Sequence, residues 1–255
     1  MITNNKTSKT NSSIVFGIRP IIEAIKSGKE IEKVLMQPGL KGELFPELSK
    51  LIKQFNIPYQ KVPVEKLNRI TTKNHQGVIA FISPIEYNNI ENLLPIIFEQ
   101  GKIPLILVLD RITDVRNFGA IARTAECAGV DAIIISDKGN APVNADAIKT
   151  SAGALNIIPV CRTKNLKDTL QYLKNSGLTI FAATEKGNEF YYSNDFSTPC
   201  AIVMGSEEDG ISGEYLKLCD KKIKIPIIGN ISSLNVSVAS GIIIYEALRQ
   251  RALKH

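Results

Sequence analysis

Residues 223–251 read IKIPIIGNISSLNVSVASGIIIYEALRQR. The segment opens with a short apolar run ending at Pro226, turns at Gly229-Asn230, passes several small or polar residues and enters a long apolar stretch near Asn235. That order predicts a polar loop at the N-terminus of a helix. Ser232, Ser233 and Asn235 are suitable N-cap residues, and the free N–H groups of a first helical turn suit an anion or a carboxylate. From Val236 to Ile244 the helix is apolar on nearly every side, which predicts burial rather than amphipathic exposure. Ala239, Ser240 and Gly241 let another backbone come close, and Arg249, Arg251 and Lys254 stand where the macrodipole favours cations. An ordinary C-terminal core helix with a good cap reads the same way, so its meaning depends on what precedes it.

Upstream, β-rich apolar runs recur at 105–109, 132–135, 156–160, 179–183, 201–204 and 222–225, with helical patterns at 119–128, 146–152, 166–175 and 213–218. Continuous apolar strands alternating with helices predict an α/β fold whose parallel sheet is covered on both faces, with ligands beyond the C-terminal strand ends. Further back, helices at 20–26, 44–55 and 64–70 and strands at 33–36, 59–62 and 77–82 form a small α/β unit of their own. The expected organisation is a disordered polar tail at 1–12, a first domain at 13–85, a linker with one short helix at 86–103 and a second domain at 104–255.

The composition, 44% hydrophobic and 22% charged over 255 residues, is that of a soluble globular protein. No apolar run reaches a membrane span and the N-terminus lacks a signal-peptide core, so a cytoplasmic protein with no membrane partner is expected. The four cysteines are scattered without a CxxC pair, and only His75 and His255 accompany them. Buried free thiols and no metal site follow. Residues 1–103 carry 14 Lys+Arg against 9 Asp+Glu, whereas 104–255 carry 17 against 16. A basic front half suits a polyanionic partner, although a solvated lysine-rich surface has the same composition.

Two further loops fall at predicted strand ends. Residues 110–123, DRITDVRNFGAIAR, place Asn117 and Gly119 before a helix and Arg123 near its first turn, where a guanidinium can grip a phosphate. A surface arginine paired with Glu126 or Asp114 is the plain alternative. Residues 204–212, MGSEEDGIS, combine Gly205 and Gly210 with three consecutive acids. Ile211-Ser212 stands where a phosphate loop needs Lys-Ser or Lys-Thr, which argues against ATP, and the absence of G-x-G-x-x-G removes the dinucleotide fingerprint.

Together, NFGAIARTAECAG, IVMGSEEDGIS and IPIIGNISSLNVSVASGIIIYEALRQR resemble the three motifs of the SpoU branch of the SPOUT superfamily, the RNA ribose 2′-O-methyltransferases. The front segment, with FGIRPIIEAI and NHQGVIAF, resembles the substrate-binding domain of the members that methylate a guanosine of 23S ribosomal RNA. This resemblance implies a parallel-sheet domain with a deep trefoil knot, a small N-terminal α/β RNA-binding domain, S-adenosylmethionine as donor and a homodimer through the C-terminal domain. Threading is nearly absent from known folds, so periodicity alone never proposes a knot. The resemblance further implies catalytic roles for Arg123, Asn117, Glu207, Ser233 and Asn235, and cofactor contacts at Thr184, Met204, Gly205, Ile225, Ile227 and Leu234. Val115 departs from a common proline, and Glu208-Asp209 replaces a commoner glycine and basic residue, adding negative charge near the RNA path.

A guanidinium does not lose its proton in a protein, so Arg123 is expected to bind the phosphate beside the target and stabilise the developing alkoxide. The expected substrate is 23S rRNA or a large-subunit precursor. A transfer-RNA enzyme, an antibiotic-resistance methyltransferase and a non-catalytic ribosome-assembly protein are the competing readings.

Overall fold

The computed structural model describes residues 14–253, and the expected tail at 1–12 lies outside them. The chain divides after Pro84 into two compact units.

The first unit runs β1 (Ile14–Phe16), α1 (Ile18–Lys26), β2 (Ile31–Met36), α2 (Phe45–Gln54), β3 (Tyr59–Lys61), α3 (Val64–Ile70), β4 (Val78–Ile82). Its sheet has the order β1-β4-β2-β3, with β4 antiparallel to both neighbours and β2 parallel to β3. Alternation along β2 and β4 sends Val34, Met36, Val78 and Ala80 against the apolar faces of α1 and α2, while Leu35 and Ile79 meet Leu67 of α3 on the opposite face. β1 was not expected from the sequence. Three residues carry no readable period, and its partner β4 lies more than 60 positions away.

In the second unit come α4 (Ile90–Glu99), β5 (Leu105–Leu109), α5 (Val115–Cys127), β6 (Ala132–Ser136), α6 (Ala145–Thr150), β7 (Val160–Thr163), α7 (Leu166–Asn175), β8 (Thr179–Ala183), β9 (Glu189–Phe190), β10 (Cys200–Met204), α8 (Gly213–Leu216), β11 (Lys221–Lys224) and α9 (Val236–Ala252). All seven strands are parallel in the order β7-β6-β5-β10-β8-β11-β9. Every residue of β5 and β10 is buried because helices cover both faces. Leu105, Leu107 and Leu109 face the core shared with α5, α6 and α9, and Ile106 and Val108 face that of α4 and α7. Residues 86–103 contain the expected short helix, and Ile90, Leu94 and Ile97 of α4 are buried in this second core.

Four expectations change. The apolar run at 156–160 is not a strand: residues 154–156 form a 3-10 turn, Ile157 is exposed, and β7 starts only at Val160. Pro159 has no N–H to give, and only its carbonyl joins the sheet, accepting from Ile133. α5 begins four residues earlier than its pattern, because Asp114 caps it by accepting from the N–H groups of Arg116 and Asn117. Arg123 therefore stands beyond the second turn and not near the first. α9 buries Val236, Ser240, Ile243, Ile244 and Ala247 on one face only, leaving Val238 and Tyr245 half exposed on the other. Finally, Cys161 and Cys200 are buried and Cys219 is partly covered, whereas Cys127 is exposed. Burial pushes the thiols of Cys161 and Cys219 up to about 12 and that of Cys200 to about 11, so none of these three is an activated nucleophile.

No helix among the described residues is long and apolar enough to cross a membrane. No group of three His, Cys, Asp or Glu among them is placed to hold a metal ion.

Candidate active site

From β5 the chain builds β6 and β7 to one side, while β10 and β8 lie on the other. β5 and β10 thus flank a switch point, where ligands of open α/β sheets bind beyond the strand ends. The loops after β5, β10 and β11 meet there. Asn117 Nδ2 donates to Glu207 Oε1 at 2.7 Å, and Asn235 Nδ2 donates to the same oxygen at 2.8 Å and to Asn117 Oδ1 at 3.1 Å. One carboxylate oxygen thereby ties together three stretches far apart in sequence. Asn235 also caps α9, its Oδ1 accepting from the N–H of Ser237 at 3.0 Å and of Val238 at 3.4 Å. Glu207 and Asn235 are exposed, so this network is open to an incoming substrate.

A second cluster braces the loop after β10. Arg111 has φ 58°, a left-handed conformation uncommon for a side chain of this size. Its guanidinium donates to Asp110 Oδ1 at 3.1 Å, to Asp209 Oδ2 at 3.1 Å and to the Gly210 carbonyl at 3.0 Å. Asp110 is only 2% exposed and also accepts from the Ser212 N–H at 2.7 Å. Its hydrogen bond is the main cause holding the Arg111 pKa above the ordinary value. Asp209 is therefore partnered, and of the two acids expected to add charge near the RNA path, only Glu208 stays without an ion pair among the described residues. Neither Asp110 nor Arg111 was singled out from the sequence. The available signal was an Asp-Arg pair directly after a fully buried strand.

Two glycines are spatial requirements. A Cβ on Gly205 would lie 2.1 Å from the Gly210 carbonyl carbon, so the loop closes on itself only without a side chain. On Gly119 a Cβ would lie 2.7 Å from Thr150 Cβ, so the bare backbone there is what lets α5 pack against α6.

A cavity of about 520 Å3 lies over the ends of β8, β10 and β11. Its walls include Thr184, Met204, Gly205, Ile225, Ile227 and Leu234, together with Glu207, Ser233 and Asn235. Ile223, Val236, Ala239 and Ile243 complete an apolar part of the lining; their sequence pattern marks them as strand and helix packing positions rather than ligand contacts. The size and mixed lining suit one nucleoside-sized ligand. A smaller cavity of about 240 Å3 shares Ser206, Glu207, Glu208 and Val236 with it and is bounded by Arg111, Thr113 and Asn117 on its other side. Arg123 lines neither cavity. It is exposed and forms no ion pair with Glu126, Asp114 or any other described residue.

A parallel sheet with a ligand-sized cavity at its strand ends, walled by hydrogen-bonded polar loops, defines an open α/β ligand-binding architecture. The pattern of the SpoU rRNA methylase family matches residues 104–245, and that of the RNA 2′-O ribose methyltransferase substrate-binding family matches residues 14–88. The chain belongs to the SpoU rRNA methylase family and is an RNA methyltransferase of that family. It is 38% identical over 240 residues, 94% of its length, to a putative TrmH family tRNA/rRNA methyltransferase of Staphylococcus aureus, covering 96% of that protein. A protein of the same description from Staphylococcus saprophyticus is 36% identical over 93% of this chain and 96% of its own length. Among solved structures, a TrmH/SpoU tRNA modifying enzyme of A. aeolicus is 34% identical, with TM-score 0.56 over 60% of this chain and 78% of that one. An AdoMet-bound rRNA methyltransferase of Sinorhizobium meliloti shares the fold at TM-score 0.60 and 24% identity, over 92% of this chain and 86% of that one.

Proposed function

We propose that this protein transfers the methyl group of S-adenosylmethionine, held in the larger cavity, to a ribose 2′-hydroxyl of RNA, the target being a guanosine of 23S rRNA or its large-subunit precursor. The observation that carries this reading is the convergence of Asn117 and Asn235 on Glu207 at the rim shared by the two cavities. The donor's sulfonium already activates the methyl group. As the O–C bond would form the S–C bond would break, S-adenosylhomocysteine would leave and the hydroxyl proton would pass to water or a phosphate oxygen, so what remains for the protein is to align hydroxyl oxygen, methyl carbon and sulfur and to stabilise charge on the oxygen. Thr184, Met204, Gly205, Ile225, Ile227 and Leu234 would hold the donor. Glu207, with its two asparagines and Ser233, would orient the ribose and the loop above it.

Arg123 needs a different placement. Because it lines neither cavity, its role at the substrate phosphate requires a second copy of the chain to bring it to one. The open face of α9, with Val238 and Tyr245, supplies an apolar surface for such a homodimer, an isologous contact. The same reading includes the trefoil knot of the C-terminal segment and a cytoplasmic location. A transfer-RNA substrate is the second reading, favoured by the 34% identity to the A. aeolicus tRNA modifying enzyme.

Labelled donor and bulk RNA test the transfer, and ribose-methylation mapping with and without the gene separates the two RNA classes. Arg123→Ala should lower the single-turnover rate by about 100-fold while leaving donor binding intact, the scale of one lost preorganised electrostatic contact. Mixed dimers of Arg123→Ala with Glu207→Ala should regain activity, since one of their two sites combines an intact Glu207 with an intact Arg123 from the other subunit. Inactive mixed dimers would place the arginine's role within one chain, and an unimpaired Arg123→Ala would remove that role.

A further inference from the structure

We infer that the open half of the first unit's sheet is a stacking platform for unpaired RNA bases. β1 and β4 pair with Ile14 opposite Phe81 and Phe16 opposite Ile79, so Phe16 and Phe81 are diagonal neighbours on one face. α3 covers that face through Leu67, against Leu35 and Ile79; Ile14, Phe16 and Phe81 are only partly buried. Each ring carries an ammonium. Lys73 Nζ lies 5.5 Å from the centroid of Phe16, and Lys33 Nζ lies 5.3 Å from that of Phe81. Neither lysine forms an ion pair among the described residues.

Two rings at diagonal positions on one sheet face, each beside a lysine ammonium, match the two chemical parts of a single-stranded nucleotide. A base stacks on the ring while the displaced ammonium turns to the phosphate. An exposed cation–π contact is weaker than stacking of an unpaired base, so the exchange favours RNA. A protein partner would find two ammonium groups over the apolar area it needs to bury, whereas a polyanion is attracted by them and by the 14-to-9 excess of basic over acidic residues in 1–103. A continuous duplex offers no free base faces, which points to a loop, bulge or unpaired strand. Because every base has a π face, the platform selects unpaired RNA and not a particular base. This inference rests on the RNA-methylation reading for its partner.

The test uses the full chain, a fluorescein-labelled 12-mer of oligouridylate and a 16-base-pair RNA duplex, with affinity read by anisotropy. Phe16→Leu and Phe81→Leu should each weaken binding of the single strand by roughly 5- to 100-fold, leaving duplex binding and calorimetric donor binding unchanged. Phe81→Trp should retain the affinity. Lys33→Gln, at a half-buried position, and Lys73→Gln, at an exposed one, should each lower the slope of log affinity against log salt by about 0.7, which the leucine variants should not do. Folded leucine variants that bind the 12-mer like wild type would overturn the platform, as would equal losses for the duplex. A leucine variant with altered sedimentation and unaltered RNA affinity would make the face a contact between copies. The methylation reading fails separately: wild type that binds the 12-mer in this manner but transfers no methyl group to bulk RNA overturns that reading alone.

Discussion

The two loops that wall the larger cavity are held in opposite ways. Residues 205–212 are over-determined. Ser206 and Gly210 bond each other in both directions, Gly205 has no room for a side chain, and Arg111 grips Asp209 and the Gly210 carbonyl from the loop after β5. Residues 226–234 are exposed throughout, and no backbone hydrogen bond joins them to any other described residue. That second loop is fixed at its ends, by β11 on one side and by Asn235 on the other. One braced wall and one wall held only at its ends predict a preformed floor and a cover that a bound ligand would order, the loop then losing conformational entropy on binding.

Removing the shared anchor is the harshest test of this contrast. Glu207→Ala unties Asn117 and Asn235 together and should lower methyl transfer by about 100-fold or more. Glu207→Gln keeps a carbonyl acceptor for both amides, so it should hold donor affinity near wild type by calorimetry while the rate still falls. If alanine and glutamine variants bind donor equally well, the anchor does not hold the loop.

Next in size is the rigid wall itself. Gly205→Ala forces a methyl group into backbone and should destabilise the second unit by about 2–3 kcal/mol, read from the urea midpoint, with donor binding lost in parallel. Within the same wall, Arg111→Ala should destabilise by about 1–2 kcal/mol, since it leaves Asp110 buried without its cation. Asp209→Ala should change stability by no more than about 0–1 kcal/mol, because that half of the cluster is solvated. Equal losses from the two would mean that the exposed pair, and not the buried carboxylate, braces the loop.

The smallest effect belongs to the tethered wall. Ile228 is fully exposed, and Ile228→Ala should shift the unfolding free energy by less than about 0.5 kcal/mol. Hydrogen exchange should show donor slowing the amides of 226–234 far more than those of 205–212. Equal protection of both loops would erase the distinction.

Much of this protein is legible in its amino-acid sequence. The alternation of buried strands and helices marks the α/β class, because a strand covered on both faces must be apolar at every position, as 105–109 and 201–204 are. The three motif stretches, read by resemblance, point to the residues that gather at the strand ends, since chemistry at such a site depends on side-chain types that periodicity does not otherwise require. Local signals are less dependable where covalent detail intervenes: Pro159 turns an apolar run into a 3-10 turn followed by a late strand, and Asp114 draws the start of α5 forward.

Only the tertiary structure decided which of those residues meet. It placed Asn117, Glu207 and Asn235 on one oxygen, set Arg123 apart from both cavities, supplied Asp110 and Arg111 as a brace, and put Phe16 beside Phe81 through a three-residue strand. The physical reason is range. Patterning and capping act within a few residues and are written locally, whereas hydrogen bonds across 118 positions and pairing of β1 with β4 exist only once the packing of the sheets has fixed the distances.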